Sequence, residues 1–153
     1  MMERVDEATC VIKAKASRVY QALLDPAILS RWLPPDGATI EIQRFEPREG
    51  GEFRFVLTFA EATGKSSERE DVVSGHFVRL IPDQEVSQAI TFDTEDARFR
   101  GEMRMCWLLS EHAGGTSVFV LAENVPPGIS RSQHQEGMTS SLEHLKLLLE
   151  REA

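Results

Sequence analysis

The side chains best suited to acid–base chemistry in this chain are its histidines, His76, His112, His134 and His144. An imidazole has a reference pKa near neutrality, so each of them could exchange a proton under physiological conditions. They form neither a His-Glu-x-x-His pattern nor another compact metal-ligand spacing, and the sequence has no Gly-x-Ser-x-Gly elbow and no Walker-type loop. The sequence therefore predicts no catalytic residue, no metal and no cofactor.

Two of these histidines, His134 and His76, occur in segments that are expected to border a ligand pocket between the last helix and a sheet, as argued from the predicted elements below. His134 and Glu136 begin the last predicted helix, whose N-terminus also favours an anion. His134 could act there as an acid or a base, but a capping or surface-polar role is favoured. His76 alternates with Val78 and Leu80, which predicts an inward-facing, hydrogen-bonded histidine in the pocket wall rather than a catalytic one.

Gln88 is the other polar side chain that the pattern turns inward. It has the same strand parity as Val86 and Ile90, so it should face an apolar interior. A glutamine in such a place needs a hydrogen-bonding partner, which makes Gln88 a candidate for a hydrogen bond to a ligand.

Hydrophobic periodicity predicts the helices and strands that would position these residues. Residues from about Ser130 to Glu152 form one amphipathic helix, because Met138, Leu142, Leu145 and Leu149 repeat at helical spacing. Alternating segments bounded by turn signals predict the strands. They cover residues 8–15, 38–45, 53–59, 72–81, 85–92, 101–110 and 116–123, with polar or charged loops over 61–70 and 93–100.

Two short helices are predicted between the first and second strands. Ser17 can cap a first one that ends at Leu24. Asp25 followed by Pro26 predicts a second, with an aspartate N-cap and a proline at its first position. Trp32, near the end of that helix, is expected to anchor it against the core or the pocket rim.

Consecutive strands joined by short turns imply an antiparallel meander. We therefore predict one α+β domain over residues 1–153 with a helix-grip architecture. A curved antiparallel sheet of about six to seven strands would wrap around the long C-terminal helix, with the two short helices after the first strand. Unless side chains fill it, the space between sheet and helix is a ligand cavity.

Strand parity and the helical stripe select the residues that would line this cavity. In the last strand, the choice between the face of Val118 and Val120 and that of Phe119 and Leu121 stays open. The predicted ligand-binding residues are Trp32, Phe53, Phe55, His76, Gln88, Met103, Met105, Trp107, Val120, His134, Met138 and Leu142.

Local motifs occur in a fixed order along nearly the whole chain. They are residues 17–26 (SRVYQALLDP) with Trp32, Gly50-Gly51-x-Phe53, Gly75 followed by Pro82, and His134-x-x-Gly137. In this order they resemble the START-like superfamily (SRPBCC, birch-pollen-allergen fold), and within it the activator of heat-shock-protein-90 ATPase homologue family. That family usually has Trp after the last glycine, whereas this chain has Met138.

The resemblance implies a cavity protein, because the superfamily includes polyketide cyclases and aromatases, lipid carriers and hormone binders. The favoured hypothesis is a protein that binds a small apolar or aromatic ligand. A cyclase- or dehydratase-type enzyme is the second hypothesis, with His76, Gln88 or His134 moving protons. A co-chaperone-like interaction module is the third, and it would need an exposed apolar patch.

Composition excludes some partners. A formal net charge of -8 disfavours nucleic acid and anionic membranes, and no apolar run is long enough for a membrane span. The first seven residues have no apolar signal region, so a cytoplasmic location is expected. Cys10 and Cys106 are expected to be small buried side chains without a disulfide. The oligomeric state stays open, and a homodimer is compatible with the sequence.

Overall fold

The computed structural model describes residues 4–60 and 69–151, which form a seven-stranded antiparallel sheet and a long helix packed on its inner face. The fold class predicted from the sequence is confirmed. In chain order the elements are β1 (Val5–Ile12), α1 (Ala16–Leu24), α2 (Pro26–Trp32), β2 (Ala38–Phe45), β3 (Glu52–Phe59), β4 (Glu70–Ile81), β5 (Glu85–Phe92), a short 3-10 helix (Ala97–Phe99), β6 (Met103–His112), β7 (Gly115–Glu123) and α3 (Arg131–Arg151).

The strand order in the sheet is β1-β7-β6-β5-β4-β3-β2, and every neighbouring pair is antiparallel. From β2 to β7 the chain is a meander in which each strand pairs with the next. β1 is the exception, because it pairs with β7 and so lies at one edge while β2 lies at the other. The two short helices connect these edges.

Of the two N-caps predicted for the short helices, the structure confirms the one at α2 and contradicts the one at α1. The Asp25 carboxylate accepts a hydrogen bond from the Ala27 N–H at 2.9 Å, so the predicted N-cap of α2 is confirmed. The prediction that Ser17 caps α1 is wrong. That helix begins at Ala16, and its N-cap, Lys15, makes no side-chain capping bond.

The last helix has a serine N-cap and the predicted apolar stripe. The hydroxyl of Ser130 accepts a hydrogen bond from the backbone N–H of Gln133 at 3.0 Å, as an N-cap serine does. Along α3 the buried side chains include Met138, Leu142, Leu145 and Leu149, which are at most 4% exposed.

Strand β4 contradicts one prediction about its inner face. Val73 and Phe77 are buried, whereas His76 is exposed on the other face of the sheet. The pairing register of β4 with β5 shifts between Phe77 and Arg79, so the parity that Leu80 suggested does not extend back to His76. When a strand contains a bulge, alternation counted from residues on one side of the bulge assigns residues on the other side to the wrong face of the sheet.

Gly75 occupies the inner position of β4 between two buried side chains. A Cβ there would lie 2.7 Å from Cζ of the Phe53 ring and would also overlap the Ala89 carbonyl oxygen. The absence of a side chain therefore makes room for the Phe53 ring against the sheet.

Other boundaries differ modestly from the prediction. β1 begins at Val5 rather than at residue 8, and β6 extends to His112 at the hairpin. The predicted charged loop over 93–100 holds one helical turn at Ala97–Phe99. The predicted loop over 61–70 lies outside the described residues except at its last two positions, and β4 begins at residue 70.

In β7 the open choice of face is resolved in favour of Val118 and Val120, which are fully buried. Cys10 and Cys106 are free thiols, but both are half-buried, so the prediction that they are buried side chains is wrong.

Candidate functional site

A cavity of about 850 Å³, partly open to solvent, lies between the inner face of the sheet and the N-terminal half of α3. Small-molecule sites usually have volumes of roughly 300–1,000 Å³ and mostly apolar walls. The sheet contributes Phe45, Phe53, Phe55, Leu57, Phe59, Asp71, Val73, Gln88, Ile90, Phe92, Met103, Met105 and Trp107 to its lining.

The aromatic wall comes from the alternation of β3. Phe53 and Phe55 point inward, and their rings stack with centroids 6.0 Å apart. Arg54, between them in sequence, points to the outer face, where its guanidinium donates to Gln43 Oε1 at 3.0 Å and to Ser74 Oγ at 2.7 Å. The period of two therefore separates an aromatic pocket wall from a polar outer surface.

Gln88 and Trp107 join the two central strands inside the pocket. The indole N–H of Trp107 donates a hydrogen bond to Oε1 of Gln88 at 3.2 Å. In the β5–β6 register, Gln88 pairs with Met105 and Trp107 pairs with Val86. Gln88 and Trp107 therefore meet on the diagonal of one sheet face, where long side chains can reach each other.

One rim of the cavity is the connection between α2 and β2, which α3 holds through hydrogen bonds. Ser141 Oγ donates to the Leu33 carbonyl at 2.6 Å, and Ser140 Oγ accepts from the Asp36 N–H at 3.2 Å. The imidazole of His144 has Nε2 2.8 Å from Asp36 Oδ1 and Nδ1 3.1 Å from the Pro34 carbonyl oxygen. His144 thus helps to hold the rim.

At the opposite end of the lining, His134 contacts a buried carboxylate. Its Nδ1 lies 2.8 Å from Oδ2 of Asp6, which is the first inward-facing residue of β1 and is 0% exposed. Arg4 donates to both oxygens of the same carboxylate, at 3.0 and 2.7 Å, and Arg131 Nε donates at 3.3 Å. The cluster ties the start of α3 to the edge strand beside the pocket.

The protonation of Asp6 follows from these contacts. Burial by itself would raise the pKa of this carboxyl. The hydrogen bonds from Arg4 and His134 and the charges of both groups outweigh burial and hold the pKa of Asp6 below its ordinary value. Asp6 is therefore an ionised buried group with charged partners.

The structure places most of the predicted ligand-binding residues at this cavity, though not all. Those in the lining are Phe53, Phe55, Gln88, Met103, Met105, Trp107, His134 and Met138. Trp32, Val120 and Leu142 belong to the hydrophobic core instead, and His76 lies outside on the far face of the sheet.

The positions of Trp32, Leu142 and Val120 in the fold explain why these three residues do not line the cavity. The Trp32 indole N–H donates to the Ala22 carbonyl at 3.0 Å, so this side chain joins α2 to α1. Leu142 follows the last α3 residue of the lining, Ser141, and belongs to the half of the helix that is buried in the core. Val120, on the inner face of β7, is also in that core.

Several lining residues were missed by the sequence analysis. Ile90 has the same strand parity as Gln88 and could have been included among the predicted lining residues. Gly137 directly precedes Met138 in the helix, so its sequence position also put it near the predicted pocket. Phe99 could not have been found, because it belongs to a segment that the pattern indicated to be a charged loop.

The charged lining residues give the pocket an electrostatic preference. Three carboxylates, Asp36, Asp71 and Glu136, are among the described lining residues, which include neither lysine nor arginine. Within residues 4–60 and 69–151, no three His, Cys, Asp or Glu side chains are grouped to hold a metal ion. In the same ranges, no helix has the length and apolar character needed to cross a membrane.

A curved sheet that grips a C-terminal helix and leaves a cavity beside it defines a helix-grip protein. The family model for "Activator of Hsp90 ATPase homolog 1-like protein" (AHSA1) matches residues 13–150, and the chain belongs to this family. The resemblance seen in the sequence motifs is therefore confirmed.

Solved structures support the same fold. A protein from Chromobacterium violaceum has a TM-score of 0.85 at 26% identity, with 95% of this chain and 96% of that chain covered. A protein from Rhodobacter sphaeroides has a TM-score of 0.81 at 23% identity, covering 97% and 93%. An AHSA1 protein from Silicibacter pomeroyi has a TM-score of 0.81 at 19% identity, covering 98% and 100%. A search of curated proteins found no match.

Proposed function

We propose that this protein binds a small apolar or aromatic molecule in the cavity between α3 and the sheet. The observation that carries the proposal is the wall of Phe53, Phe55, Met103, Met105 and Trp107 around about 850 Å³ of space. Burying an apolar ligand there would be favourable at roughly 25 cal/mol for each Å² removed from water. Methionine side chains adapt to irregular neighbours, which suits a pocket that must close on a ligand.

An enzyme that acts on a molecule held in the same cavity is the second candidate. The contact between Asp6 and His134 Nδ1 favours it, because a buried carboxylate orients the imidazole of a histidine that lines the cavity. Such a pair could take part in a proton transfer of the cyclase or dehydratase type. The binding function is preferred because the same contact has a structural role at the start of α3.

The interaction-module hypothesis has less support from the surface. The large hydrophobic side chains that are exposed within the described ranges are Val5, Val11 and Leu147. A docking surface for a protein partner would need a broader apolar patch.

Binding can be tested with an uncharged fluorescent probe, N-phenylnaphthylamine. We expect its fluorescence to rise on titration with the folded protein and to saturate at one probe per chain. Urea-unfolded protein is the control and should give no saturable signal. A linear, unsaturated response with folded protein would contradict the proposal.

Native mass spectrometry of protein purified from its own source addresses the ligand itself. We expect a co-purified small molecule that dissociates on denaturation. Incubating that molecule with fresh protein separates the two candidates, since a binding protein leaves its mass unchanged. A mass change that His134→Gln abolishes would favour the enzyme.

A further inference from the structure

We infer that the ligand of this pocket is uncharged and carries a hydrogen-bond acceptor oxygen of the carbonyl type, which the side-chain NH₂ of Gln88 binds. This inference rests on the proposed function and specifies the chemistry of the same site. It follows from the orientation of one amide and from the charges around it.

The orientation of the Gln88 amide is fixed by its neighbour. An indole N–H can only donate, so the Gln88 atom that faces Trp107 Nε1 at 3.2 Å must be the oxygen. The amide nitrogen then points away from Trp107. Gln88 thus offers a donor group whose direction is set before any ligand arrives.

The amide nitrogen of Gln88 is accessible from the pocket. Within the described ranges no hydrogen bond involves this nitrogen, and no buried side-chain nitrogen or oxygen lacks a partner. Nε2 must therefore be in contact with open space, and for a residue in the pocket lining that space is the cavity. A ligand group that occupies it has to accept a hydrogen bond, because replacing water by an apolar group would leave the donor unpaired.

The charges of the lining decide which acceptor fits. Glu136 and Asp36, which pairs with His144, disfavour a carboxylate or phosphate ligand, and no described lysine or arginine in the lining would compensate for the charge of such a ligand. A neutral carbonyl oxygen accepts from the Gln88 NH₂ without that repulsion. Its apolar or aromatic body would then lie against the phenylalanine and methionine side chains.

Two probes of the same shape can test this inference. Acetylnaphthalene and isopropenylnaphthalene, substituted at the same ring position, differ by a carbonyl oxygen in place of a methylene group. Equilibrium dialysis gives the affinity of each for wild type and for Gln88→Met, a variant of similar length that lacks the donor. We expect the variant to lower the ketone-to-hydrocarbon affinity ratio by about 2- to 10-fold, the effect of one neutral hydrogen bond.

The matched control is Gln84→Met, the same change at the exposed turn between β4 and β5, which should leave the ratio unchanged. Naphthoate, the carboxylate analogue, should bind wild type more weakly than the ketone. In wild type, the ketone and not the hydrocarbon should shift the NMR signals of the Gln88 side-chain NH₂. This last measurement does not depend on the folding of a variant.

The outcomes separate this inference from the proposed function. If both probes bind and Gln88→Met leaves their ratio unchanged, or if naphthoate binds most tightly, the acceptor inference is overturned and the pocket remains a binding site. An absence of any Gln88 NH₂ shift with bound ketone would overturn it as well. If neither probe binds, the proposed function fails and the inference fails with it.

Discussion

The indole rings of Trp32 and Trp107 meet edge to face, with centroids 5.5 Å apart and planes at 85°. Trp107 lines the cavity, while Trp32 is fully buried and donates its N–H to the Ala22 carbonyl of α1. Edge-to-face geometry is one of the two favoured arrangements for aromatic pairs, the other being offset stacking. The pair therefore connects the two short helices to the strand that carries the hydrogen-bond donor to Gln88.

Replacing Trp32 tests how much this connection stabilises the fold. Trp32→Ala should lower the free energy of unfolding by about 3 kcal/mol or more, since it leaves a large cavity in the core. Trp32→Phe keeps an aromatic ring and should cost clearly less. Urea unfolding followed by circular dichroism measures both, and an unchanged stability of Trp32→Ala would contradict the role of this residue as an anchor.

The buried Asp6 carboxylate predicts a dependence of stability on acidic pH. Because its folded pKa lies below the ordinary value of 3.8, Asp6 stabilises the protein fully above that value. The contribution is lost as the pH falls through the lower folded pKa. Asp6→Asn should therefore destabilise the protein by about 1–3 kcal/mol near neutrality, and its deficit against wild type should shrink in acid.

Unfolding by urea from about pH 5 to about pH 2 measures this deficit for Asp6→Asn. Asp93→Asn is the control, because Asp93 is a 67% exposed carboxylate that pairs with Arg54 on the outer face. It should have little effect at any pH in this range. A deficit for Asp6→Asn that stays constant with pH would contradict the assignment.

The sequence predicted most of the fold because the pattern of each element agrees with its environment. β2 and β5 have the predicted bounds, and the stripe of α3 is buried as the helical spacing requires. His76 shows where the pattern fails. A bulge changes which residues face inward without leaving a signal in hydrophobicity.

The pocket was harder to predict than the fold, because it depends on where packing stops. Leu142 and Met138 belong to the same apolar stripe and both are buried in the core, yet only Met138 also lines the cavity. Asp6 is a charged residue near the chain start, and nothing local predicts that it is buried. Its contact with His134 depends on the distant pairing of β1 with β7.

Gly137 offers a test of helix energetics at the pocket. It lies within α3, and a Cβ there would have no atom within 4 Å. Gly137→Ala should therefore raise the free energy of unfolding by about 0.5–1 kcal/mol, because alanine loses less backbone entropy in a helix.

Gly101→Ala is the matched control for this change. A Cβ at Gly101 would also have no atom within 4 Å, but the backbone φ of +110° at this residue is unfavourable for alanine. This variant should be destabilised instead. Urea unfolding measures both variants, and the same sign for the two would contradict the backbone argument.

Met138→Trp should reduce the space available to a ligand. Met138 lines the cavity and is 4% exposed, so the larger indole has to extend toward the open space or strain the core. Overpacking of a filled core costs about 1–3 kcal/mol, and a smaller loss of stability would indicate that the cavity takes up the ring. The stabilisation by N-phenylnaphthylamine, measured as a shift in Tm, should decrease because a bound ligand stabilises by mass action.

Leu147→Trp adds the same indole at a 57% exposed position of the same helix and is the control for this experiment. Its Tm shift with the probe should equal that of wild type. Equal shifts for wild type, Met138→Trp and Leu147→Trp would place the bound probe elsewhere. A loss confined to Met138→Trp would support binding between the N-terminal half of α3 and the sheet, because only that variant changes the volume of the cavity.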